Sequence, residues 1–175
     1  KLKVGKTRYG IMLRDDGIVM DDGTSWRISE DEYFMTTSTA QAAKVMAWLE
    51  ELLQTRWKEF KVHVTSVSEQ WAAISLAGPK SRETLEECID DKSVISNEKL
   101  PFMGLLETKL KNDINCRIVR ISFSGEMAYE IYTKSDYAID MMDLIWNSAK
   151  KFNGCLYGLE ALGALRIEKG HVTGA

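Results

Sequence analysis

Short stretches with a two-residue apolar alternation come in groups ahead of each helix-spaced stretch. This loosely repeated β-β-helix order constrains the fold more than any other feature. Thr7–Arg14 alternates weakly and ends at Asp15-Asp16-Gly17, a hairpin turn signal. The apolar run from Gly17 to Met20 meets a second Asp-Asp-Gly, Asp21-Asp22-Gly23, only a few residues later. Two turns that close would leave too short a strand. The second triplet therefore predicts a β-bulge or kink inside one strand that runs on through Ser25–Ile28. Tyr33–Thr36 is a third short strand.

Thr37, Ser38 and Thr39 offer N-cap hydroxyls to a helix over about 38–56, with Val45, Trp48, Leu49, Leu52 and Leu53 on one face. Lys61–Val67 and Gln70–Ala77 alternate like an antiparallel pair. Pro79 opens a helix over about 79–89, whose stripe is Leu85, Cys88 and Ile89. Leu105–Leu110, Asn115–Ser122 and Met127–Thr133 read as strands. Ser135 caps a helix over about 135–150, with Ile139, Met142, Leu144 and Ile145 as its apolar positions, and a last helix covers about 158–168. The expected class is α+β, with mostly antiparallel sheets and packed helices. A division near residue 58 gives two expected subdomains, 1–58 and 59–175.

Several function classes fall away on composition. A net charge of −3 over 175 residues gives no basic surface for a nucleic acid. No apolar run approaches the ~20 residues of a membrane-spanning helix. The three cysteines, Cys88, Cys116 and Cys155, are odd in number and far apart, which predicts reduced thiols and a cytoplasmic setting. With only His63 and His171 besides, no metal site is expected. Neither a dinucleotide-binding nor a P-loop glycine motif is present. Lys1 opens directly into strand-like sequence and the last residues follow a helical pattern without a further element, so both ends are expected to be cuts in a longer chain.

Three groups of residues could carry chemistry. Asp21 and Asp22 read either as turn formers or as carboxylates aimed into a pocket by the kink, and spacing alone leaves both open. Glu130 stands beside Tyr129, Ile131 and Tyr132, where a carboxylate needs a donor partner, either a ligand rich in N–H groups or an arginine. Arg166 and Glu168 read as ion-pair partners on the last helix, whose glycine and alanine positions would let it lie close to a sheet.

The stretches Gly5–Gly10, Gly17–Asp22, Ala77–Ser81, Phe123–Glu126 with Tyr129-Glu130, and Leu165–Gly170 follow one another as they do in the glycine-cleavage T-protein, or aminomethyltransferase, family. The chain resembles that family over nearly its whole length. Thr7–Arg14, Ser68–Trp71, Arg120–Glu126 and Leu165–His171 are most similar to the branch found in sarcosine oxidase alpha subunits. Leu162-Gly163 stands where T-proteins carry an Arg-Asp pair, which also favours that branch.

The resemblance implies two related ferredoxin-like-type halves around a folate cavity, lined in part by residues before Lys1 and after Ala175. It implies tetrahydrofolate as cofactor, accepting a one-carbon unit from an imine or formaldehyde to give 5,10-methylenetetrahydrofolate. Other oxidase subunits are the implied protein partners, and flavin and NAD sites lie in other parts of such an enzyme. The implied catalytic residue is Asp22. The implied cofactor-binding positions are Glu130, Tyr9, Phe123 and Arg166. At Phe123, T-proteins carry a tyrosine, so its hydrogen bond is not carried over. A scaffold that holds oxidase subunits without catalysis, or an aminomethyltransferase of the glycine-cleavage type, are the competing readings.

Overall fold

The computed structural model describes residues 1–172. Strands β1 (Lys6–Leu13), β2 (Val19–Arg27) and β3 (Tyr33–Met35) form one antiparallel sheet in that order. Helix α1 (Ala42–Thr55) follows. The second sheet has the order β4 (Trp71–Ala77), β7 (Ala128–Lys134), β6 (Asn115–Val119), β5 (Leu105–Lys109), with every neighbouring pair antiparallel. Helices α2 (Ser81–Glu86), α3 (Ala138–Lys151) and α4 (Leu159–Lys169) complete the chain. The α+β class with antiparallel sheets is thus as expected. No helix among the described residues is long and apolar enough to cross a membrane.

The second sheet is covered on both faces, and its two-residue period sorts the side chains. Tyr129 and Ile131 of β7 and Cys116 and Ile118 of β6 pack with Leu85, Cys88, Ile89, Met141 and Ile145 from the α2–α3 side. Val119 and Tyr132 point the other way, onto Trp26 and Phe34 of the first sheet. Trp26 is fully buried there, stacked on Phe34 at 4.8 Å and edge-on to Tyr132 at 4.7 Å between ring centroids. Its indole N–H donates to Thr24 Oγ1 at 2.7 Å, so the ring enters the core without an orphaned donor. Burying a ring of this size is worth roughly 4–6 kcal/mol. The backbone also crosses between sheets, with Thr7 N–H donating to Met103 O and Leu105 N–H to Gly5 O.

Several local expectations are corrected. The bulge is at Met20, because Met12 pairs with Asp21 while Leu13 pairs with Val19, and the chain passes through Asp21-Asp22-Gly23 as regular strand. Lys61–Val67 is not a strand, and β4 pairs with β7 instead, whose Tyr129 and Ile131 pack in the core on the face that α2 and α3 cover. Thr37, Ser38 and Thr39 do not cap α1. Its N-cap is Gln41, and the Ser38 N–H is taken by Asp21. Ser135 opens a 3-10 turn and makes no side-chain cap. On α3 the buried residues are Met141, Ile145, Ser148 and Ala149, spaced at i, i+4, i+7 and i+8, and Ile139 lies off this face, 76% exposed. Helix α4 buries no residue fully, so its small residues do not seat it against a sheet.

Candidate functional site

Asp21 and Asp22 are neighbours on β2 and therefore face opposite sides of the first sheet. Asp21 is fully buried, and its Oδ2 accepts the Ser38 backbone N–H at 3.1 Å. Its role is structural, because it ties the segment leading to α1 back onto β2. Gly23 serves the same crossing. A Cβ there would stand 1.9 Å from Thr36 O, so the missing side chain permits close approach of backbone and does not make a turn.

Asp22 lies on the other face with Thr24 and Trp26, the face turned toward the second sheet. Register puts Ile11 opposite Asp22 and Tyr9 opposite Thr24, so Tyr9 and Asp22 are diagonal neighbours. The Tyr9 hydroxyl hydrogen-bonds Asp22, and partial burial first, then this carboxylate, raise the phenol pKa. The same hydroxyl lies 3.5 Å from Val172 O, which brings the end of the described chain against β1.

Glu130 projects from β7 toward the first sheet, two residues before Tyr132 on the same strand face. Tyr132 O–H donates to Glu130 Oε2 at 2.7 Å. Burial raises the Glu130 pKa, and the tyrosine hydrogen bond opposes that shift without cancelling it. Tyr132 is pushed up in turn by burial and by the adjacent carboxylate. Glu130 Oε1 has no hydrogen-bond partner among the described residues, so it remains able to accept from a ligand.

Glu130 and the Tyr9–Asp22 pair thus stand on facing sheets, linked through the contact of Trp26 with Tyr132. Among the described residues, neither of the two marked hollows is lined by Tyr9, Asp22 or Glu130. Phe123 and Arg166 gather at another corner. His171 Nδ1 meets Phe123 O at 3.1 Å, and their rings lie 6.1 Å apart. Arg166 donates to His171 O at 2.8 Å, closing the end of α4, and makes no ion pair with Glu168 among the described residues. Sequence reasoning missed Tyr132 as the donor to Glu130. The i, i+2 spacing of Glu130 and Tyr132 on one strand was the available signal.

Residues 1–174 match the model of the GCVT N-terminal domain. The chain belongs to this family. Sarcosine oxidase subunit alpha of Rhizobium meliloti (strain 1021) is 44% identical over 174 residues, which is 99% of this chain and 17% of that subunit. The corresponding subunit of Corynebacterium sp. (strain P-1) is 44% identical over 98% of the chain and 18% of its own length. An aminomethyltransferase of Clostridium botulinum (strain ATCC 19397 / Type A) is 28% identical over 95% of the chain and 43% of its length. The chain therefore spans less than a fifth of the oxidase subunits and under half of the aminomethyltransferase. The crystal structure of the glycine cleavage system aminomethyltransferase T from Bartonella henselae superposes with a TM-score of 0.76 at 24% identity, covering 98% of this chain and 42% of that one, and so shares the fold.

Proposed function

We propose that this chain is a tetrahydrofolate-facing part of a sarcosine oxidase alpha subunit, in which a one-carbon unit from an oxidised N-methyl amine is passed to folate. One observation carries the reading: Glu130 and the Tyr9–Asp22 pair occupy facing sheet surfaces. Identity of 44% to the oxidase subunits against 28% to the aminomethyltransferase favours the oxidase branch.

The residues fit a pterin. Glu130 keeps Oε1 available as an acceptor, and the amino group and ring N–H along one pterin edge are donors. Such donors stabilise the ionised carboxylate that burial disfavours. When bound, tetrahydrofolate supplies the nucleophilic nitrogen that takes up the one-carbon unit. Asp22 holds or accepts the proton of that nitrogen, and Tyr9 orients the Asp22 carboxylate. Positioned proton transfer of this kind contributes about 10²–10⁴-fold.

Product analysis of the full-length protein with amine and tetrahydrofolate tests this. Asp22→Ala is expected to leave amine oxidation in place and to divert the one-carbon unit from methylenetetrahydrofolate to free formaldehyde. Asp21→Asn serves as the comparison and should shift that partition less. An unchanged partition in Asp22→Ala would return Asp22 to strand structure and leave the scaffold reading standing.

A further inference from the structure

The last side-chain torsion of a glutamate is broad and roughly two-fold. Position on β7 therefore sets where the Glu130 carboxylate lies, but not how its plane is turned. The Tyr132 hydroxyl supplies that constraint from two residues along the same strand face, by donating to Oε2 at 2.7 Å. No other hydrogen-bond donor reaches this carboxylate among the described residues. The hydroxyl in turn has no other partner there.

Tyr132 is itself held from the first sheet. Its ring meets Trp26 edge-on at 4.7 Å and Phe34 at 6.0 Å between centroids. Trp26 is fully buried, and its N–H is tied to Thr24 Oγ1, which lies 2.8 Å from Thr36 Oγ1. Thr24 and Trp26 share their strand face with Asp22. An unbroken run of contacts thus leads from the strand that carries Asp22 to the carboxylate of Glu130, and the phenol O–H is its last link. The ring contacts do not need that hydroxyl, since a phenylalanine would keep both and spare the cost of burying a polar group.

We propose that Tyr132 is a positioning residue for the one-carbon transfer: braced by Trp26 and Phe34, its hydroxyl turns the Glu130 carboxylate so that Oε1 meets the pterin. The inference rests on the folate reading above. The same hydrogen bond favours the charged carboxylate against the burial that opposes it. Pterin N–H donors need that charged form, so losing the hydroxyl weakens binding twice, through a freed carboxylate plane and a harder ionisation. Ser75 and Val119, beside Glu130 in the sheet, do not titrate. Arg117, opposite Tyr132 on β6, stays charged throughout. Tyr9 and Asp22 on the facing sheet can titrate, and they are the same in parent and variants.

The experiment is equilibrium titration of the full-length protein carrying this chain with tetrahydrofolate, between about pH 5 and pH 8, where a glutamate held above its ordinary range changes charge. Tyr132→Phe is expected to bind about three- to thirtyfold more weakly, the range of one hydrogen bond to a charged neighbour. The loss should be larger at the acid end, because the variant's Glu130 takes up its proton at higher pH. A ring-fluorinated tyrosine in place of Tyr132 is a stronger donor and should shift the acid limb of the profile the opposite way. Should the phenylalanine variant not fold, the fluorinated protein decides by itself. Unchanged affinity in Tyr132→Phe, or a loss equal at every pH, overturns the positioning role and leaves the folate reading intact. So does a fluorinated protein whose acid limb stays in place. A parent that does not bind tetrahydrofolate overturns both.

Discussion

Glu130 is pulled two ways, by burial that favours its neutral form and by the Tyr132 hydroxyl that favours its charge, and burial is the stronger. The sign of the pH dependence follows. Below the ordinary glutamate value of about 4.3, the group is protonated in both folded and unfolded chains and contributes no slope. Above that value the unfolded chain releases its proton first, while the folded chain holds on. Stability therefore falls as pH rises through the window up to the raised folded pKa. Glu130→Gln removes this slope and keeps an acceptor for the Tyr132 hydroxyl. Urea midpoints of parent and variant between about pH 4 and pH 8 check it, with the variant gaining on the parent as pH rises. A pH-independent difference between the two would show that the folded pKa is not raised. The neighbouring pair Asp21 and Asp22 makes another point at this scale. Two like carboxylates side by side have opposite surroundings only because successive strand residues face opposite sides.

Strand β2 carries Asp22, and its position depends on a glycine. Gly10 and Gly23 face each other across the β1–β2 ladder, yet they are not equivalent. A Cβ on Gly10 meets nothing within 4 Å, whereas one on Gly23 runs into Thr36 O. Thr36 cannot easily retreat, since its N–H donates to Thr24 O and its Oγ1 lies 2.8 Å from Thr24 Oγ1. Gly23→Ala is expected to destabilise by about 1–3 kcal/mol through this overpacking. Gly10→Ala is expected to stay within about 0.5 kcal/mol. Chemical denaturation of the two variants tests the contrast, and similar losses in both would show that a general glycine effect is at work. The extra residue at Met20 falls before the regularly paired stretch, so unbroken alternation from Asp21 to Arg27 puts Asp22, Thr24 and Trp26 on one face, toward the second sheet.

The two sheets are held together by Trp26 on one side of their interface and by Arg117 on another. Arg117 Nε donates to Glu107 at 2.8 Å, and its guanidinium reaches Glu32 of the first sheet's last loop at 3.5 Å. It also lies over Trp71 at 4.5 Å and over Phe34 at 5.4 Å from the ring centroids. Both glutamates are largely exposed while the arginine side chain is 12% exposed, so the ring contacts outweigh the ion pairs. Arg117→Ala should cost about 1–3 kcal/mol, and Lys should restore only part of it, because an ammonium lacks the flat face that stacks. If ring contacts dominate, the loss persists at about 1 M salt. A loss that vanishes with salt would assign the energy to the glutamates.

Read from residues alone, the chain already carried its class, its strand and helix positions along most of its length, and the isolation of Glu130 among apolar neighbours. These are local properties. Two-residue and helical periods, turn glycines such as Gly17 with its φ of +80°, and the buried stripe Leu85, Cys88 and Ile89 are all decided within a few residues. What lay beyond sequence was set by pairing. Lys61–Val67 alternates as well, but alternation does not name a partner, and β4 pairs with β7, a strand distant in sequence. Asp22 shares a face with Trp26 because the bulge falls at Met20 and not within Asp21-Asp22-Gly23, a placement that alternation cannot locate, since a shift of one exchanges the two faces. The Tyr9 partner of Asp22 also depends on register, whereas Tyr132 meets Glu130 through their spacing on one strand. Only the packing of one sheet on the other, through Trp26 and Tyr132, sets the strand faces that carry Asp22 and Glu130 toward each other's sheet.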